Sequence, residues 1–256
     1  MYKLVDAHAH LEEIEDLDAA LVRAREVGVS AIVTAGSDYN SSRWALQVSS
    51  KRRHGDPKVY PTIGVHPWNL DSSKMVERAL EFIRKNIGKA VGVGEIGLDY
   101  WLKNVRKDPN RKELQKKVFK NLLEIAKEHG KPVVVHSRGA WKDCFEMIKE
   151  VKVEKAVFHW FSGPLDVLES LLKKNYLISA TPAAAYSKEH RTAIQSTPIE
   201  NILLETDSPV AYRGKTSEPA DVVSSLNEVA ALKGIEKETV AYKTTRNAVE
   251  LFGIGV

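Results

Sequence analysis

With 43% hydrophobic and 28% charged side chains over 256 residues, the chain reads as an ordinary globular protein. It is long enough to bury most of its surface around one core. A net charge of +4 is compatible with a polyanionic substrate without requiring one. No apolar stretch nears the roughly 20 residues that span a bilayer, no signal-peptide segment opens the chain, and the single cysteine, Cys144, excludes an internal disulfide. A cytoplasmic protein with no membrane association is expected, with Cys144 as a core thiol on a helix.

The period of the apolar pattern switches repeatedly between 2 and 3.6. Strands are expected near 3–7, 31–35, 59–64, 90–94, 132–135, 155–158, 176–179 and 201–204. Amphipathic helices are expected over 17–27, 42–53, 73–86, 111–129, 140–151, 165–174, 187–195 and 220–232, with a helical tail from about 236 to 252. Strict alternation of eight strands and eight helices calls for a parallel sheet closed into a (β/α)8 TIM barrel, an α/β fold. With no linker or low-complexity segment, residues 1–256 read as a single domain. No Gly-x-Gly-x-x-Gly follows the first strand, so an open sheet holding a dinucleotide cofactor is disfavoured. The glycines of Gly92-Val93-Gly94 read as room for close backbone approach.

A barrel builds its site at the C-terminal ends of its strands. Strand 1 ends in Asp6-Ala7-His8-Ala9-His10, where alternation points both imidazoles, and Asp6, the same way. Strand 4 ends at Glu95, strand 5 at His136, strand 6 at His159, and strand 8 leads into Asp207. Each alone is an unremarkable loop residue, but four imidazoles and two carboxylates converging on one mouth form a metal site. Six ligands exceed one tetrahedral ion and suit two divalent cations sharing a carboxylate. Glu95 is the expected bridge, with His8, His10 and Asp207 on one ion and His136 and His159 on the other. The imidazole-rich set favours Zn, Mn, Fe or Co over Mg. Such a pair activates water; Asp207 would orient it and accept its proton, making Asp207 and Glu95 the candidate catalytic residues.

Six motifs occur in order: Val-Asp-Ala-His-Ala-His-Leu, Thr-Ile-Gly-Val-His-Pro, Val-Gly-Glu-Ile-Gly-Leu-Asp-Tyr, Val-Val-His-Ser-Arg, Phe-His-Trp-Phe-Ser-Gly and Leu-Leu-Glu-Thr-Asp-Ser-Pro. Over essentially its whole length the chain resembles the TatD family of metal-dependent hydrolases. The resemblance implies a TIM barrel, a two-metal centre on the same six residues, and deoxyribonuclease activity, with DNA as the substrate. Four departures leave the metals alone and bear on substrate shape. Gly139 stands where the family often has Asp, Trp160 where it often has a small residue, and Ser217 where it has Asn, and the loop over 180–186 is unlike the common form.

Around this set, His66 is either a contact for a phosphate oxygen, as the resemblance favours, or a loop histidine braced by Pro67. Arg138 is a bidentate phosphate clamp or a plain ion pair. Asp99 either holds a ligand histidine from behind or caps the long helix after it. Glu205 shares the parity of Asp207 and faces inward towards an unnamed partner. Trp68, Trp101, Trp141 and Trp160 roof the pocket or stack on bases. The runs at 51–53 and 116–117 read as solvated helix faces and that at 103–107 as a mouth loop able to guide a phosphate backbone. His54, His129 and His190 read as surface residues. An amide or ester hydrolase of deacylase type is the competing enzyme class. Its common carboxylated-lysine bridge is disfavoured, because Lys89 lies at the far end of strand 4. A barrel reduced to a binding protein is disfavoured by the complete ligand set.

Overall fold

The computed structural model describes residues 3–50 and 55–256. The Lys51-Arg52-Arg53 run and His54 lie outside the described residues. Eight strands, β1 (Leu4–Ala9), β2 (Val29–Ala35), β3 (Lys58–Ile63), β4 (Gly92–Gly97), β5 (Val133–His136), β6 (Ala156–Phe158), β7 (Leu177–Ala180) and β8 (Ile202–Leu204), form one sheet in sequence order. Every neighbouring pair in it is parallel. Helices α1 (Leu17–Glu26), α2 (Tyr39–Ser49), α3 (Ser73–Asn86), α4 (Pro109–Glu128), α5 (Trp141–Val151), α6 (Leu165–Leu172), α7 (Lys188–Ser196) and α8 (Val222–Lys233) follow the strands in turn. The expected TIM barrel is present.

Two seams hold the barrel. An outer layer packs residues such as Ile32, Ile63, Ile96 and Phe158 of the strands against Leu122, Ile148, Leu171 and Leu226 of the helices. An inner cluster of Val5, Ala31, Val33, Val134, Val157 and Leu203 is joined by Leu251 and Phe252 of a ninth helix, α9 (Lys237–Phe252). Burying this apolar surface is the main stabilising term. The expected helical tail is therefore part of the barrel, since it packs on β1 and β8 and closes the N-terminal end.

The sheet is nearly closed. The β1–β8 seam is made by the chain after β8: the Asp207 amide donates to the His8 carbonyl (2.9 Å), and the His10 amide to the Ser208 carbonyl (2.7 Å). Asp6 belongs to this seam rather than facing the mouth with His8 and His10 as strand alternation suggests. Its carboxyl group accepts from the Thr206 amide (2.9 Å) and hydroxyl (2.6 Å). The pairing register of β1 shifts between Asp6 and Ala9, which breaks the alternation.

Two other expectations change. Asp108, not Asp99, caps α4, accepting from the Asn110 and Arg111 amides ahead of a Pro109 well suited to the first turn. His190, expected on the surface, is buried on the inner face of α7. Its Nδ1–H donates to the Phe161 carbonyl (2.8 Å) and its Nε2 accepts from the Thr181 amide (3.1 Å), tying together the loops after β6 and β7. Burial lowers its pKa and keeps it neutral. His129 is exposed at the end of α4, as expected.

The seam role of Asp6 predicts that Asp6→Ala leaves the Thr206 donors unpaired and costs about 1–3 kcal/mol. A lower urea midpoint at unchanged slope is the expected result; an unshifted midpoint would remove Asp6 from the seam.

Candidate metal centre

β4 runs further than its apolar pattern suggests, so Glu95 lies within the strand and not past its end. Gly94 lets this happen: a Cβ there would stand 2.6 Å from the Cβ of Val134 on β5. The Glu95 carboxylate is thereby set at the centre of the mouth, 3% exposed.

Its two oxygens are divided between two sets of imidazoles. Oε2 lies 3.4 Å from Nε2 of both His8 and His10. Oε1 lies 2.9 Å from His136 Nδ1, 2.9 Å from His159 Nε2 and 3.2 Å from His66 Nε2. Asp207 joins the first set, with Oδ1 3.5 Å from the same two Nε2 atoms. The six residues selected as candidate ligands thus converge around Glu95, and His66 joins the imidazoles that face Oε1.

The electrostatics match a cation site. Burial works to raise the pKa of Glu95, yet the facing His66, His159, His10 and His136 outweigh it and hold the carboxyl well below its usual range. Asp207 behaves alike: burial opposes ionisation, and His10, His159 and His8 prevail. Burial works to lower His10, His136 and His159, but the carboxylates beside them raise all three. Both nitrogens of His8 are buried without a hydrogen bond. Unpaired buried imidazole nitrogens around ionised carboxylates are the donor set a borderline divalent cation takes, so the residues fit a metal.

Backing groups set which ring atoms are free. Asp99 receives His136 Nε2 at 3.0 Å, Arg138 Nε at 2.9 Å and the Trp68 indole N–H at 2.8 Å. It stands behind a ligand candidate, leaving His136 Nδ1 for the centre. Its pKa is depressed: burial works against ionisation, and the contacts from His136, Trp68 and Arg138 prevail. Glu205 finds its partner in His159, with Oε1 3.4 Å from Nδ1, and also accepts from the Trp160 amide at 3.0 Å. His66 Nδ1 accepts from the Trp68 amide at 3.1 Å, so its proton resides on Nε2, which faces Glu95. Burial pulls His66 down to about 4, and it is a neutral donor at neutral pH. Arg138 forms the ion pair with Asp99 and lies over the Trp68 ring at 5.4 Å.

The cavity above the centre measures about 650 Å³ and is lined in part by Trp68, Trp101, Trp141 and Trp160, which follow β3 to β6 in turn. Trp68 and Trp101 are more than half exposed, at 52% and 59%, and form a rim. The Gly139 departure follows from this wall: a side chain there would collide with the Trp101 indole. Trp160 adopts φ 44°, a conformation costly for a large side chain, and its amide is held by Glu205 and Ser179 Oγ (2.9 Å) while its ring packs on Tyr212. A small residue is the easier choice there. Gln115 is the supporting residue that sequence reading missed: its side chain accepts from the Asp99 amide (3.0 Å) and donates to the Pro67 carbonyl (3.2 Å). A polar residue on the apolar face of α4 is the signal that could have found it.

The family model for TatD-related DNases matches residues 5–253. The chain belongs to the TatD family. An uncharacterised metal-dependent hydrolase of Methanocaldococcus jannaschii is 32% identical, over 98% of this chain and 97% of its own. The human protein named deoxyribonuclease TATDN3 is 31% identical, over 97% and 94%. The crystal structure of YJJV, a TatD homologue from Escherichia coli, superposes with a TM-score of 0.88 at 25% identity, covering 98% of each chain. This TatD-family barrel is accordingly a member of a family of metal-dependent hydrolases.

Zinc added to chelator-treated protein at about a hundredfold over Kd should stabilise it by about 2.7 kcal/mol, raising Tm by several degrees. The raised His10, His136 and His159 keep protons near neutral pH that a metal must displace. Calorimetry in buffers of different ionisation enthalpy should therefore show proton release, with affinity falling as pH drops through those raised values. Binding without proton release would contradict this charge assignment.

Proposed function

We propose that this TatD-family hydrolase is a deoxyribonuclease that cleaves phosphodiester bonds with two divalent cations. The observation that carries the reading is the partition of Glu95, whose two oxygens each face a separate group of imidazoles. His8, His10 and Asp207 would hold one cation and His136 and His159 the other, with Glu95 between them. When bound, such cations offset charge on a phosphoryl oxygen and lower the pKa of water, to near 7 in zinc enzymes.

The chain's own groups supply the rest. Asp207 is anchored by its amide on the His8 carbonyl and has its carboxylate at the centre, placed to orient a water and accept its proton at Oδ1. His66 presents a neutral Nε2–H towards the same volume, suited to a non-bridging phosphate oxygen. Asp99 and Glu205 keep His136 and His159 in the required orientation from behind. Arg138 sits at the cavity wall, where its guanidinium can turn to a phosphate while remaining on the Trp68 face. The aromatic wall, the guanidinium at the mouth and the deoxyribonuclease names of relatives support DNA over an acyl substrate.

Asp207→Asn should lower kcat on single-stranded DNA by about 10²–10⁴ while leaving the far-UV circular dichroism intact. Paired assays of the metal-loaded protein on single-stranded DNA and on acyl substrates, with and without chelator, decide the class. Chelator-sensitive turnover of acyl substrates alone would replace the nuclease reading by the deacylase one.

A further inference from the structure

Beyond β8 the chain forms a hairpin absent from the sequence-based expectations, β9 (Ala211–Tyr212) and β10 (Lys215–Thr216). Its two-residue turn, Arg213-Gly214, has φ of 52° and 83°. Positive φ at both central positions is the type I′ geometry, where Asn or Gly is favoured first and an arginine is strained. The hairpin is firmly held: the Tyr212 hydroxyl donates to the Thr206 carbonyl (2.6 Å), and the Ser217 hydroxyl to the Val210 carbonyl (2.7 Å).

Strain in a rigid turn directs attention to what the side chain reaches. The exposed Arg213 guanidinium stands 5.1 Å over the ring of Tyr186, which lines the cavity from the loop after β7. Lys215 on the same hairpin is paired with Asp221 at 2.9 Å, whereas Arg213 has no carboxylate partner among the described residues. Arg138, over Trp68, is neutralised by Asp99. Trp68 follows β3 and Tyr186 follows β7, four strands apart in an eight-stranded barrel and hence on opposite sides of the mouth. The loop over 180–186, Trp160 packed on Tyr212, and Ser217 pinning the hairpin gather on the Tyr186 side.

The geometry points to Arg213, stacked on Tyr186, as a subsite for a phosphate of the DNA strand flanking the one being cleaved. The inference rests on the nuclease reading and deepens it. An aromatic face orients the planar guanidinium and leaves its N–H groups for the bidentate geometry a phosphate accepts. An extended strand with its scissile phosphate at the centre would present the next phosphates to the rim, where this unneutralised charge stands. A substrate with a single phosphodiester has nothing there to bind.

The test uses the metal-loaded protein and a hydrolysis-resistant phosphorothioate probe, so that turnover does not consume it. Binding of a short fluorescein-labelled single-stranded oligodeoxynucleotide is followed by anisotropy across a salt series, with and without Arg213→Gly. Glycine suits the turn, so the variant should melt no lower than its parent. Affinity should fall roughly tenfold, and the salt slope should shrink by about 0.7, the value of one single-strand phosphate contact. Arg213→Lys should restore most of the slope. On the unmodified oligonucleotide, Arg213→Gly should lower kcat/KM relative to bis(p-nitrophenyl) phosphate, through KM rather than kcat. Tight binding with an unchanged slope would overturn the subsite and leave the nuclease reading standing. No oligonucleotide binding in either protein would overturn both.

Discussion

One buried carboxylate is the constraint on which the site depends. Glu95 sits at the middle of the mouth on a stretch of β4 where a side chain at Gly94 would strike Val134 of β5. From this position each oxygen meets a different group of rings. An ionised carboxylate at 3% exposure is tolerable only while positive charge faces it. The facing imidazoles, raised by the carboxylates beside them, answer that demand, and divalent cations would answer it better. The raised imidazoles and the proposed chemistry are consequences of the same electrostatic demand.

Around that centre the barrel is built in shells. The ligand candidates stand on or directly after β1, β4, β5, β6 and β8, and their orientation is set by Asp99 and Glu205 behind them. Asp6 and α9 keep the seam and the far end closed without touching the chemistry. The outer ring consists of the segments carrying the tryptophans, Tyr186 and the β9–β10 hairpin. This division explains why a barrel can keep its metal chemistry and change what it accepts.

The departures at Gly139 and Trp160 illustrate how such differences are coupled. Gly139 has no room for a side chain because the Trp101 indole occupies the space. Trp160 endures a left-handed backbone because Glu205 and Ser179 grip its amide and Tyr212 supports its ring. Each substitution read singly looks like a loss of a family feature. In the structure each one builds the aromatic wall.

The sequence by itself determined the barrel, the order of its elements and the identity of the candidate ligands. Period switching is a local property, and strand ends in a parallel barrel all open on one face. Hence His8, His10, Glu95, His136, His159 and Asp207 could be drawn together before any contact was known. Tertiary structure alone decided the rest. Asp6 leaves the mouth because the β1–β2 register shifts after it and Thr206, 200 residues along the chain, takes up its carboxyl group. His190 is buried because loops after two different strands close over it, and Asp99 serves His136 because Asp108 already caps α4. The Arg213 turn and the tautomer of His66 depend likewise on neighbours distant in sequence or on backbone angles, and neither leaves a periodic trace. What is periodic along the chain was legible; what depends on a partner brought in by folding was not.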